Sequence, residues 1–221
     1  MKNKEIQEKR MKGYFIQATK EILKGEGLKG ISVRNIADKA GYSYATLYNY
    51  FKDINDLVFV CVKDFQDECK QFVIDQTRNN SKGIEKLKNS ILAYIKYFVE
   101  YPGIFDLFYL AKVGDFGNKQ TIIEVINKSL DNVCINEWDY CLKHKIFMAD
   151  KIEQLKDQLK YSVIGLLLLY LNRLTPNTYT HFIKEANAII DYQLGIKEVV
   201  LNKVKNKTSK VQNSLISVNL G

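Results

Sequence analysis

The sequence predicts an all-α protein: an N-terminal three-helix helix-turn-helix domain followed by a larger helical domain. Three observations carry this. Only two prolines occur in 221 residues, so little interrupts long helices. Apolar residues recur at three- and four-residue spacing through most of the chain, the period of a helix with one buried face. No strand-like alternation is sustained ahead of the tail, where SLISVNLG has some β character but no obvious partner.

Residues 4–26 read as the first helix, with Phe15, Ala18, Ile22 and Leu23 on its apolar face. KGEGLKG ends it, and Gly27 suits the position just past a helix C-terminus. Ser32 is placed to cap a helix running to Ala40, whose apolar face is Ile36, Ala37 and Ala40. Gly41 supplies the positive φ that a tight turn needs. Ser43 caps the next short helix, with Leu47 and Phe51 one turn apart. Asp53 caps a fourth, with Asp56 three residues on. Helix, three-residue turn and helix at this spacing make a helix-turn-helix. Amphipathic helices follow over 54–78 and 82–101, the second stopped by Tyr101-Pro102-Gly103. IFDLFYLA is a short apolar segment and VGDFGN a loop. Long helices then cover 119–145, 150–173 and 178–203, with Thr178 capping the last.

The net charge of +8 is unevenly placed. Residues 1–52 hold 11 Lys/Arg against 5 Asp/Glu, residues 53–196 hold 17 against 19, and residues 197–221 hold 5 against 1. A basic head and tail flanking a near-neutral middle point to an anionic partner for the head. The four cysteines, Cys61, Cys69, Cys134 and Cys141, include no CxxC, and no signal-peptide apolar region begins the chain. A reduced, cytoplasmic protein is expected. The longest apolar run, VIGLLLLYL, has nine residues, about half of what a membrane span needs, so no membrane partner is expected.

The stretch SVRNIADKAGYSYATLYNYFKDINDL resembles the DNA-binding signature of the TetR family of bacterial transcriptional regulators. Gly27, Ser32, Val33, Ile36, Ala37, Ala40, Gly41, Ser43, Thr46, Leu47, Tyr48, Tyr50, Phe51 and Leu57 carry the resemblance, which covers residues 10–57. It implies a DNA-binding domain over 1–52, a helical ligand-binding and dimerisation domain over 53–203 and a basic C-terminal tail over 204–221. The chemistry agrees. A recognition helix docks through a few apolar residues, here Leu47 and Phe51, and offers donors to phosphates and base edges on its other face. Thr46, Tyr48, Asn49, Tyr50 and Lys52 are donors, Ser43 heads the helix, and Ala45 allows close approach. Tyr48 and Tyr50 are expected to clamp phosphates and Tyr44 to face the groove. Arg34 either reaches a base edge or is solvated. Two positions depart from the family pattern. Tyr42 stands where a small aliphatic residue is common, adding a contact or covering the turn. Ile54 stands where a lysine is frequent, leaving Lys52 to meet the phosphate.

The middle of the chain is dense in aromatics. Core packing accounts for many of them, and the resemblance implies an effector cavity among them. Tyr94, Phe98, Phe105, Phe108, Tyr109 and Trp138 are the candidates, suited to a flat or hydrophobic small molecule. The apolar stripes of the last two helices are wider than each needs within its own domain. They predict a homodimeric four-helix contact through Gly165, Leu168, Phe182, Ala186, Ile189 and Ile190. Cys134, Cys141 and His144 share one predicted helix at spacings that put them on one face, but a zinc site there lacks a fourth ligand. Buried thiols beside a surface histidine are the simpler reading, so neither a metal nor a cofactor is expected. No nucleophile elbow, phosphate loop or HExxH occurs, so no catalytic residue is named. The sequence thus predicts a repressor that binds a palindromic double-stranded operator and is released by an effector. A helical interaction protein, or a non-specific DNA binder without an effector, is the alternative.

Overall fold

Capping and helix breakers decide where each helix begins and ends. The computed structural model describes residues 2–112 and 120–196. The helices are α1 (Lys2–Glu26), α2 (Val33–Ala40), α3 (Tyr44–Tyr48), α4 (Ile54–Gln76), α5 (Ile84–Glu100), α6 (Pro102–Phe105), α7 (Gln120–Asn127), α8 (Ser129–Val133), α9 (Ile135–Lys143), α10 (Ile152–Leu171) and α11 (Tyr179–Gln193). No strand occurs among the described residues. Ser32, Ser43, Asp53 and Thr178 each cap the following helix, their side chains accepting from the backbone N–H three residues on. Each cap satisfies a donor that the helix leaves free and is worth about 1 kcal/mol.

The described residues form two compact units. One comprises those within Met1–Asn79 and Ser90–Ile135, the other those within Asn80–Asn89 and Asn136–Gly221. In the first, α1 packs on α2, α4 and α6, and α4 on α7 and α8. In the second, α10 packs on α11.

Three features differ from the sequence-based expectation. The apolar segment after Pro102 is helical: Pro102 opens α6, as proline's fixed φ allows, and residues Asp106–Leu110 continue as a π-helical turn. The helix expected over 119–145 is broken at Lys128 and Cys134, whose ψ angles are near zero. Asn127, Ser129, Asp131 and Asn132 crowd this stretch, and such side chains compete for backbone hydrogen bonds. The break turns Ser129 inward, fully buried. It also separates Cys134, which ends α8, from Cys141 in α9 and from His144 beyond it. Among the described residues no group of three His, Cys, Asp or Glu side chains is arranged to hold a metal ion. Finally, α11 ends at Gln193. The loop VGDFGN and the tail 204–221 lie outside the described residues. No described helix is long and apolar enough to cross a membrane.

Candidate nucleic-acid interface and effector region

The head is built on one apolar cluster. Phe15, Ile22, Ile36, Leu47, Phe51 and Leu57 form it, and Met11, Ile31, Val33, Ala40 and Tyr50 pack around it. Full burial of side chains such as Phe15 and Leu47 stabilises the head by roughly 1.5–3 kcal/mol each. Asn35 pins the entry to α2, its Nδ2 donating to the Gly30 carbonyl at 2.9 Å. At the other end, Gly41 adopts φ 76°, ψ 26°, and the Tyr42 N–H bonds back to the Ala37 carbonyl at 3.0 Å. A side chain at Gly41 would be strained in this left-handed conformation. The turn therefore fixes the angle between α2 and α3.

α3 is short and sharply two-sided. Leu47 is fully buried, whereas Tyr44 is 66% and Tyr48 50% exposed. Ala45, Asn49 and Lys52 are also exposed. Ser43 and Thr46 share a hydroxyl–hydroxyl hydrogen bond of 2.9 Å, and Ser43 Oγ accepts from the Thr46 N–H at 3.2 Å. Arg34 points to solvent, in an exposed ion pair with Asp38 at 3.8 Å. Tyr50 differs from the other DNA candidates. It lies past the end of α3, and its half-buried ring sits 6.3 Å from Phe15. The structure thus brings Tyr44, Ala45, Tyr48, Asn49 and Lys52 to one open surface and uses the Tyr50 ring in packing.

Residues 15–61 match the family model described as bacterial regulatory proteins, tetR family. The head is a TetR-type helix-turn-helix domain. Its helix-turn-helix is a DNA-binding domain, and the solved structures similar to the whole chain carry the same fold. A TetR family transcription regulator from Marinobacter aquaeolei VT8 is 20% identical, over 86% of this chain and 97% of that one, with a TM-score of 0.59. The regulator FadR from Bacillus subtilis, solved with stearoyl-CoA, is 14% identical, over 82% and 96%, with a TM-score of 0.63. A TetR transcriptional regulator from Rhodococcus sp. RHA1 is 13% identical, over 86% and 96%, with a TM-score of 0.55. At these identities the likeness is one of TetR-type fold. No curated protein is similar to the chain in sequence.

In the first unit of this TetR-type fold, five of the six effector candidates form one aromatic cluster. Tyr94, Phe98 and Phe105 are fully buried and Phe108 nearly so. Phe98 is its hub, with ring centroids 4.9 to 5.8 Å from Tyr94, Phe105, Phe108 and Tyr109. The π-helical turn carries Tyr109 to a hydroxyl–hydroxyl hydrogen bond with Tyr94. Tyr94 also donates to Ser129 Oγ at 3.0 Å. Burial raises the Tyr94 hydroxyl well above its ordinary pKa and pushes Tyr109 up to about 12. Both therefore stay neutral. Trp138 packs instead in the second unit, 6.0 Å from Phe147.

Two polar residues beside this cluster were not expected. Gln66, on the buried stripe of α4, donates from Nε2 to the Ser129 carbonyl at 3.2 Å, which fixes the orientation of the amide. Its Oε1 is buried and has no partner among the described residues. A glutamine within the apolar series Val58, Val62, Phe65, Cys69 and Val73 was the available signal. Ser129 gave none, because its burial depends on the break before α8.

The dimer candidates divide. Phe182, Ala186 and Ile190 are buried within the chain, and Phe182 stacks on Tyr170 at 4.1 Å. These three, spaced four residues apart, form a row that α11 spends on its own core, so they are not open to a second subunit. Gly165, Leu168 and Ile189 lie on the more open side. There Tyr161, Gly165, Leu169, Ala188, Ile189 and Tyr192 line a shallow apolar groove of about 560 Å³.

Proposed function

We propose that this protein is a ligand-responsive transcriptional repressor that binds a palindromic operator as a homodimer. The observation that carries the proposal is the face of α3, where Leu47 alone is buried and Tyr44, Tyr48, Asn49 and Lys52 are presented on a basic head. Tyr48 and Lys52 hold phosphates, Tyr44 and Ala45 enter the major groove, and each subunit reads one half-site. Residues 1–52 bind DNA, 53–203 bind effector and partner, and 204–221 form a basic tail. The apolar groove between α10 and α11, with Tyr192 87% exposed, supports dimerisation on that face.

The effector is small, mostly apolar and uncharged where it meets the Tyr94–Tyr109–Ser129–Gln66 cluster. An unpaired buried acceptor costs about 1–3 kcal/mol, and a ligand donor to Gln66 Oε1 would remove that cost. The stearoyl-CoA of the Bacillus FadR structure supports a ligand with a long apolar part. Release follows from a preference of the effector for a dimer whose heads are wrongly spaced for adjacent grooves.

Selection from a random duplex library tests the DNA half: a palindromic consensus preferred over competitor DNA is expected, and enrichment without a consensus would leave only a non-specific binder. Titration of an effector against free protein and against the operator complex tests the other half. Linkage requires operator and effector to weaken each other by the same factor, so equal effector affinities in the two titrations would rule out the switch.

A further inference from the structure

We propose that Tyr14 and Tyr42 form a second phosphate contact of the head, a paired aromatic ledge that grips the DNA backbone beside the groove entered by α3. The inference rests on the DNA-binding reading of the head and adds residues from α1 and the turn to it. Tyr14 is 51% exposed and Tyr42 37%. Their ring centroids are 5.8 Å apart with the planes at 33°. Tyr42 in turn lies 5.7 Å from Phe15, which is fully buried in the head core. The order is therefore core, Tyr42, Tyr14, solvent. Neither hydroxyl has a hydrogen-bond partner among the described residues.

A turn residue that only covered the core would need no phenol, and a surface helix position would not need a second ring upon it. The tilted ring contact, with Tyr42 seated against Phe15, restricts the rotamers of both rings, so a hydroxyl at their edge is presented at low entropic cost. Position argues for DNA as the occupant. Tyr42 directly precedes Ser43, the cap of α3, and Tyr44, the most exposed ring of that helix, so the ledge continues the DNA-facing surface. Arg10 stands one helical turn before Tyr14, on the same face of a basic helix. A phenol O–H donates well to a phosphate oxygen while its ring packs against the sugar.

A neutral donor releases no counterion of its own, so it strengthens binding without changing the salt dependence. The test uses a fluorescent duplex of random sequence, about 30 base pairs long, followed by anisotropy across a salt series. Tyr14→Phe and Tyr42→Phe should each weaken binding about five- to tenfold, with the slope of log affinity against log salt unchanged. Their thermal midpoints should match wild type, since only exposed hydroxyls are lost. Lys52→Gln serves as the contrast, because it should flatten that slope by about one. Wild-type affinity in both Phe variants, with Tyr48→Phe still weakened, would overturn the ledge and leave the head reading standing. Failure of the wild-type protein to bind the duplex would remove both. Weakening seen only in a Tyr14→Ala, Tyr42→Ala protein with a lowered thermal midpoint would assign the pair to packing. A changed sedimentation coefficient with unchanged DNA affinity would assign it to a protein contact.

Discussion

Tyr48 and Tyr50 stand two positions apart and face different surroundings. α3 stops at Tyr48, so Tyr48 keeps the outward direction of its helix, while Tyr50 sits in the following turn and returns to Phe15. Replacing Tyr48 with Phe is expected to weaken operator and random DNA alike by about 1 kcal/mol, because a phosphate contact carries no sequence information. A variant that changed base preference and kept non-specific affinity would refute the assignment. Gln66 offers the matching experiment in the body. Gln66→Met removes an unpaired buried acceptor at the expense of one hydrogen bond to Ser129. The ligand-free protein should gain about 1 kcal/mol, seen as a higher urea midpoint at an unchanged m-value, while its response to effector is lost. A lower midpoint would mean that Oε1 carries no standing cost.

At the scale of elements, α1 is tied to the rest of its unit at two places. Lys20 and Lys24 both pair with Glu68 of α4, Lys24 at 3.0 Å, and Lys20 also reaches Asp64 at 3.6 Å. α6 approaches the same end of α1 so closely that a Cβ on Gly103 would overlap the Leu23 carbonyl oxygen. Gly103 is needed for that backbone approach, whatever its φ. The ion cluster predicts a pH dependence. Burial opposes the Glu68 charge, but Lys20 and Lys24 outweigh it and hold the carboxyl below its ordinary range. A depressed carboxylate stabilises the fold above its unfolded pKa and loses that contribution as pH falls through the folded value. For Lys20, burial also opposes the charge, and the hydrogen bond and charge of Glu68 raise it. That contribution is present below the ordinary lysine range and is lost only at more alkaline pH. Glu68→Gln should therefore cost stability at pH 7, by less than about 1 kcal/mol because the cluster is partly exposed. The difference from wild type should shrink below about pH 4. Urea midpoints of both proteins at pH 7, 5 and 3 check this, and a pH-independent difference would contradict it.

For the whole molecule, the partition of apolar residues on the last two helices is decisive. Phe182, Ala186 and Ile190 are consumed by the chain's own core, whereas Tyr161, Leu168, Leu169 and Tyr192 stay exposed. A charge on the open side should therefore split a dimer without unfolding a subunit. Leu169→Asp is expected to sediment as a monomer at micromolar concentration with a near-native melt. Its operator affinity should fall by at least about tenfold, since a lone head reads one half-site. A wild-type protein that sedimented as a monomer and still bound operator tightly would refute the dimeric reading.

The sequence by itself determined the elements that depend on neighbours in the chain. The caps at Ser32, Ser43, Asp53 and Thr178 and the turn at Gly41 all rest on groups within a few residues of one another. Local backbone chemistry settles such features before any packing occurs. The all-helical class followed from periodicity over long windows, for the same reason. Tertiary structure alone decided which of several equivalent apolar residues meet the chain's own core. Phe182 and Ile189 belong to one apolar stripe in sequence, yet one is buried and the other lines an open groove. The Gln66–Ser129 contact spans 63 residues, and the Tyr14–Tyr42 ring contact joins α1 to the turn after α2. A helix's period shows that a face is apolar but not what covers it. That choice rests on non-local contacts, whose partners only the folded chain brings together.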